Sequence, residues 1–196
     1  MKRFWFGLFL CLVLSGCGVG PTSSHYAGNL VKQYGGEKTK PDQKAMRYIM
    51  LRHPTSGETV NVTYFKNGAY QPDSMKKIDY LFRDRHKNEV KKIDPELIDF
   101  LIDIRSRLGL PPSVVFEILS GYRSPITNGH LKNNNKQTAK NSLHMQGFAV
   151  DFRISGVNGK AIAEIAKTMQ RGGVSYYPAS NHVHVDIGNI RSWKPK

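Results

Sequence analysis

Towards the C-terminus of this 196-residue chain, four polar side chains sit where a strand would not waste them. In His182-Val183-His184-Val185-Asp186-Ile187, strand alternation puts both histidines and Asp186 on one face. Val183, Val185 and Ile187 then point into a core. In Phe148-Ala149-Val150-Asp151-Phe152, Asp151 falls opposite Phe148, Val150 and Phe152. Side by side, two such strands would gather imidazoles and carboxylates on a single sheet surface. That donor set suits Zn²⁺, which takes His nitrogen and Asp oxygen at roughly 2.0–2.2 Å. Three protein ligands would leave a fourth position for water, with its pKa lowered to about 7 and a carbonyl polarised beside it. Groups left over would orient ligands or move protons. The competing reading is a solvent-facing strand with satisfied polar residues, but one strand rarely needs His-x-His-x-Asp on one face.

Several elements must position these residues. Met46 to Leu51 and Glu58 to Phe65 read as strands joined by a turn around Pro54-Thr55-Ser56-Gly57, and Asn67-Gly68 marks another turn. Ser74 to about Arg85 carries Met75, Ile78, Leu81 and Phe82 at helical spacing. The next helix has the clearest signals: Asp94 caps, Pro95 fits the first turn, Leu97, Phe100, Leu101, Ile104 and Leu108 line one face, and Gly109 ends it. Val114 to Leu119 and Gly147 to Ile154 read as buried strands, and Lys160 to Met169 as a helix. Val174 to Tyr177 and His182 to Ile187 form a closing hairpin. The expected class is α+β, a small, mainly antiparallel sheet flanked by helices.

The chain as a whole narrows the partners. Cys11 and Cys17 are the only cysteines, so beyond them no internal disulfide or thiolate metal site can form. Lys and Arg number 29 against 15 acidic residues, a formal charge of +14 that favours an anionic polymer. The basic residues are scattered and form no nucleic-acid-binding motif, so no nucleic-acid partner is expected.

Lys2-Arg3, the apolar Phe4 to Leu14 and Ser15-Gly16 have the layout of a secretory signal. The apolar run, about 11 residues, is too short for a bilayer that needs ~20. Leu14-Ser15-Gly16-Cys17 resembles the lipobox of bacterial lipoproteins. That resemblance implies cleavage before Cys17, lipidation of its sulfur and a stable membrane anchor. It also implies, with Gly18 rather than Asp next, the periplasmic face of an outer membrane in a Gram-negative cell. Residues 1–16 are thus expected to be the leader. Residues 17–44, rich in Gly, Ser, Thr, Pro and Lys, read as a flexible tether, and 45–196 as the folded domain, a monomer.

Ser142-x-His144-x-x-Gly147-x-Ala149-x-Asp151 resembles the first zinc motif of the D-Ala-D-Ala carboxypeptidase (LAS-type) family. His182-x-His184 is similar to the second motif of the wider group that includes lysostaphin-type peptidases. Ser120-Gly121-Tyr122-Arg123-Ser124-Pro125 and Gly173-Val174-Ser175-Tyr176-Tyr177-Pro178 resemble the MepK-type murein endopeptidases. The likeness spans about Tyr48 to Trp193. It implies a LAS/Hedgehog-type zinc peptidase fold with one zinc on His144, Asp151 and His184; periodicity alone does not single out His144. It also implies Arg123 near the substrate carbonyl or carboxylate, Ser142 bonding within the site, and peptidoglycan as substrate. Carboxypeptidases of this family carry a Glu three residues before the final ligand, where this chain has Asn181. His182 and Asp186 therefore stand as the two candidates for the general base. Cross-link cleavage leads, with stem-trimming by a D,D- or L,D-carboxypeptidase and non-catalytic peptidoglycan binding as alternatives.

Overall fold

In the computed structural model, which describes residues 46–134 and 138–195, the alternating segments become strands of one eight-stranded sheet. The leader, Cys17 and the tether to residue 44 lie outside the described residues. The strands are β1 (Arg47–Arg52), β2 (Thr59–Lys66), β3 (Ala69–Tyr70), β4 (Val115–Ser120), β5 (Ala149–Ile154), β6 (Gly173–Tyr177), β7 (His182–Asp186) and β8 (Arg191–Trp193). Four helices are described: α1 (Pro72–Leu81), α2 (Pro95–Arg107), α3 (Pro125–Asn134) and α4 (Gly159–Thr168).

The sheet runs β3-β2-β1-β4-β5-β7-β6-β8. The expected class holds at the coarser level of a mixed sheet with helices, because β1–β4 and β6–β8 pair in parallel. The chain leaves β1 through β2, β3 and two helices before returning as β4, a crossover long enough to permit parallel pairing. The predicted β6–β7 hairpin forms as read, and β5 pairs antiparallel with both β4 and β7.

Helix α2 shows why the local signals were legible. Asp94 accepts from Glu96 N at 2.8 Å, Pro95 takes the first turn, and Gly109 follows the end with φ +65°. Its apolar face, Leu97, Phe100, Leu101 and Ile104, is wholly buried, each such side chain contributing roughly 1.5–3 kcal/mol. Two charged residues of α2, Asp99 and Arg105, are also buried. Asp99 accepts from Tyr64 Oη at 2.7 Å, Tyr70 Oη at 2.6 Å and Arg47 Nη1 at 2.9 Å, fastening the helix to β1, β2 and β3. Burial of Asp99 is tolerable because its oxygens are satisfied.

Candidate metal centre

Asp151 on β5 and His184 on β7 are register partners, so the ladder sets them side by side. His144 reaches them from the short 3-10 turn Leu143–Gln146. Ser142 caps that turn, its hydroxyl accepting from His144 N, and Gly147 ends it in the left-handed region at φ +78°. A Cβ at Gly147 would also lie 2.4 Å from the Lys92 carbonyl, so only glycine lets the turn lie this close. The three side chains are buried and offer one donor atom each, all within 4.8 Å of one another.

Their outer contacts fix which atoms face inward. His144 Nδ1 lies 2.7 Å from the Gly121 carbonyl and must donate to it, which leaves the Nε2 lone pair directed at the cluster. His184 Nε2 lies 3.0 Å from Asp186 Oδ2, so its Nδ1 faces Asp151 Oδ1 at 2.8 Å and His144 Nε2 at 3.3 Å. Burial pushes the His144 pKa down and keeps that ring neutral. Burial would also lower His184, but hydrogen bonds to Asp151 and Asp186 outweigh it and raise its pKa. Burial would raise Asp151, yet the two imidazoles hold it well below the ordinary carboxylate value. At most one proton, on His184 Nδ1, stands among three lone-pair donors. A divalent cation would satisfy all three together, so the residues present fit a metal of the zinc type.

Arg123 follows β4, and its Nη2 donates to Asp151 Oδ2 at 2.5 Å while Nε donates to Ser120 Oγ at 2.8 Å. It therefore orients one ligand candidate and still lines the cleft. His182 sits half-buried at the start of β7, stacked on Tyr177 with ring centroids 4.3 Å apart. Ser180 Oγ engages its Nδ1 at 2.6 Å, leaving Nε2 as the second ring nitrogen. Burial lowers its pKa, which favours the neutral, proton-accepting form.

Asp186 shares the strand face of His182 and His184, as the alternation implies, but does not line the cleft. It is fully buried, taking Gly173 N at 2.9 Å, Gly188 N at 3.0 Å and both Arg191 terminal nitrogens as well as His184. Burial opposes its ionisation, but the His184 and Arg191 hydrogen bonds hold its pKa far below the ordinary value. A carboxylate so saturated is a poor proton acceptor, and its geometry is that of a group that orients His184. Asn181, where the carboxypeptidase pattern has Glu, accepts from Gly159 N at 2.8 Å and donates to Val157 O at 3.1 Å. Its amide pins the start of α4. Tyr122 is buried with its hydroxyl on Glu89 Oε1 at 2.6 Å, and His130 is exposed on α3 away from the cleft lining.

The cleft holds about 460 Å³, walled by Ser142, His144, Tyr177, His182 and two residues that sequence reasoning did not single out, Arg191 and Trp193. Both lie on β8, whose three exposed residues carry no hydrophobic alternation. Trp193 packs on His184 with centroids 5.1 Å apart, and the Arg191 guanidinium lies over Trp193.

Residues 41–193 match the family model described as Peptidoglycan L,D-endopeptidase MepK. Over 148 residues, 76% of this chain and 79% of the relative, the sequence is 39% identical to the probable peptidoglycan L,D-endopeptidase MepK of Haemophilus influenzae. Over 147 residues it is 38% identical to the peptidoglycan L,D-endopeptidase MepK of Escherichia coli, covering 75% of this chain and 80% of that one. No solved structure matches the chain significantly.

Proposed function

The chain belongs to the peptidoglycan L,D-endopeptidase MepK family, and on that premise we propose that His144, Asp151 and His184 hold one zinc ion. It is a peptidase that hydrolyses peptide cross-links in peptidoglycan, as its relatives are named for doing. The observation that carries the zinc reading is the convergence of three buried lone-pair donors with each ring's outer nitrogen already committed. Bound there, zinc supplies polarisation of the scissile carbonyl and brings the pKa of water down to about 7.

The chain's own side chains do the rest. His182 accepts a proton from the attacking water through Nε2 and returns it to the leaving amine, with Ser180 and Tyr177 holding the ring. Arg123 carries the fixed positive charge beside Asp151 and faces the developing oxyanion. Asp186 and Arg191 keep His184 in the tautomer that presents Nδ1. In this chain the metal-site residues come from two adjacent strands and a preceding turn and share one sheet surface, which supports the LAS/Hedgehog-type assignment.

The lipobox-like Leu14–Cys17 segment supports a chain exported and anchored through acylated Cys17, on the periplasmic face of the outer membrane where its substrate lies. Loss of membrane fractionation in a Cys17→Ser variant tests that reading. For the reaction, zinc-loaded protein incubated with isolated murein should convert cross-linked dimers to monomers, read by product mass. Shortened stems would instead make it a carboxypeptidase. Binding without product would leave a scaffold.

A further inference from the structure

A second cavity of about 450 Å³ adjoins the metal cleft, and Arg123 and Leu131 line both. Its remaining wall includes Arg83 and Arg85, on the segment that follows α1, and His53 from the turn after β1. The two arginines share one carboxylate: Arg83 Nη2 lies 2.9 Å from Glu58 Oε1 and Arg85 Nη2 lies 2.6 Å from Glu58 Oε2. Asp84 between them faces inward, its charge absorbed by Ser124 N at 2.8 Å and His86 N at 2.9 Å. What remains is a donor without an acceptor. Arg85 Nη2 also donates to Leu81 O at 3.2 Å, its buried Nε has no hydrogen-bond partner, and the side chain, about a quarter exposed, lines the cavity. A buried guanidinium N–H left unmade is costly, and a planar fork of this kind is matched best by a carboxylate.

We propose that this cavity is a substrate subsite in which Arg85 receives a free carboxylate of a peptidoglycan stem peptide while the scissile bond lies over the metal centre. The inference rests on the peptidoglycan-hydrolase reading and deepens it. The adjoining cleft sets the direction: a peptide crossing from one cavity to the other passes Arg123, so one stem lies over the metal and the other over Arg85. Two acidic groups occur in a diaminopimelate stem, on glutamate and on diaminopimelate, and both offer the same chemistry.

The test is calorimetric titration of the full chain with the tripeptide L-Ala–γ-D-Glu–diaminopimelate, its main-chain terminal carboxyl capped as an amide, and with forms amidated at one or the other of the two remaining carboxylates. One amidation is expected to weaken binding about tenfold, the worth of a charge-assisted hydrogen bond, and thereby to name the carboxylate. Arg85→Gln should bind acid and amide forms alike. Equal wild-type affinity for all three peptides, or an acid preference that survives Arg85→Gln, overturns the proposal. The wild-type contrast needs no substitution, so it decides the matter even if the variant does not fold. Murein digestion by the same protein is a separate readout: acid-selective binding with intact cross-links would sink the hydrolase reading and leave the subsite standing.

Discussion

Asp186 Oδ2 lies 3.0 Å from His184 Nε2, the ring nitrogen that does not face Asp151 and His144. The contact is held from behind by Arg191 Nη2 at 2.7 Å and by Gly173 N at 2.9 Å. Gly173 is required for that approach, since a Cβ there would meet Asp186 Oδ2 at 2.4 Å. An orienting carboxylate of this kind typically carries a factor of about 10–100 in metal affinity. Asp186→Asn is therefore expected to weaken zinc binding by about that factor, measured by competition with a chromophoric chelator. Unchanged affinity would remove Asp186 from the orienting role.

His144 tests the ligand set from the other side. Its Nδ1 is spent on Gly121 O, so truncation removes a lone-pair donor that no neighbouring side chain replaces. His144→Ala should drop bound zinc from one ion per chain to near none, read by metal analysis after gel filtration. His53→Ala, outside the centre, should retain the ion. Undiminished zinc in the His144 variant would overturn the assignment.

The proposed proton carrier is separable from the proposed ligands. His182 lines the cleft but is not among the three converging donors. His182→Ala should keep its zinc and lose about 10²–10⁴ in kcat on cross-linked muropeptides, the usual contribution of a positioned base. Ser180→Ala, which frees the ring, should show a smaller loss in the same direction. A His182 variant of full activity would return the proton transfer to another group.

Much of this arrangement was legible because it is local. Strand alternation placed Asp151, His184 and Asp186 on the proper faces, and the β5–β7 register then needed only two neighbouring strands. Capping chemistry gave α2 its start and end. What escaped depends on contacts distant in sequence. Asp186 looked like a base because alternation reports the face of a strand, not the arginine five residues on that saturates it. Helix α3 and strand β8 carry weak apolar patterns, so nothing in the sequence placed Trp193 against His184. The Asp99 knot joins residues 29 and 35 positions away, a separation no periodicity records.

The loop that carries Arg85 is held by Asp84, and this gives a pH signature independent of the metal. Burial would raise the Asp84 pKa, but hydrogen bonds from Ser124, Thr127 and His86 outweigh it and bring it down to about 2 from an ordinary 3.8. A carboxyl depressed in the folded state stabilises above its unfolded value, and that stabilisation disappears as pH falls through the folded one. The window is therefore about pH 4 down to pH 2, and the full contribution is roughly 2 kcal/mol at neutral pH. Asp84→Asn removes the charge and with it this part of the pH dependence. Denaturant melts should show the variant less stable than wild type by about that amount at pH 6, with the gap narrowing as the pH approaches 2. Because the comparison is a difference between two proteins, other carboxylates such as Asp186 that titrate in the same range cancel. A gap that stays constant from pH 6 to pH 2 would mean that Asp84 acts only through shape and packing.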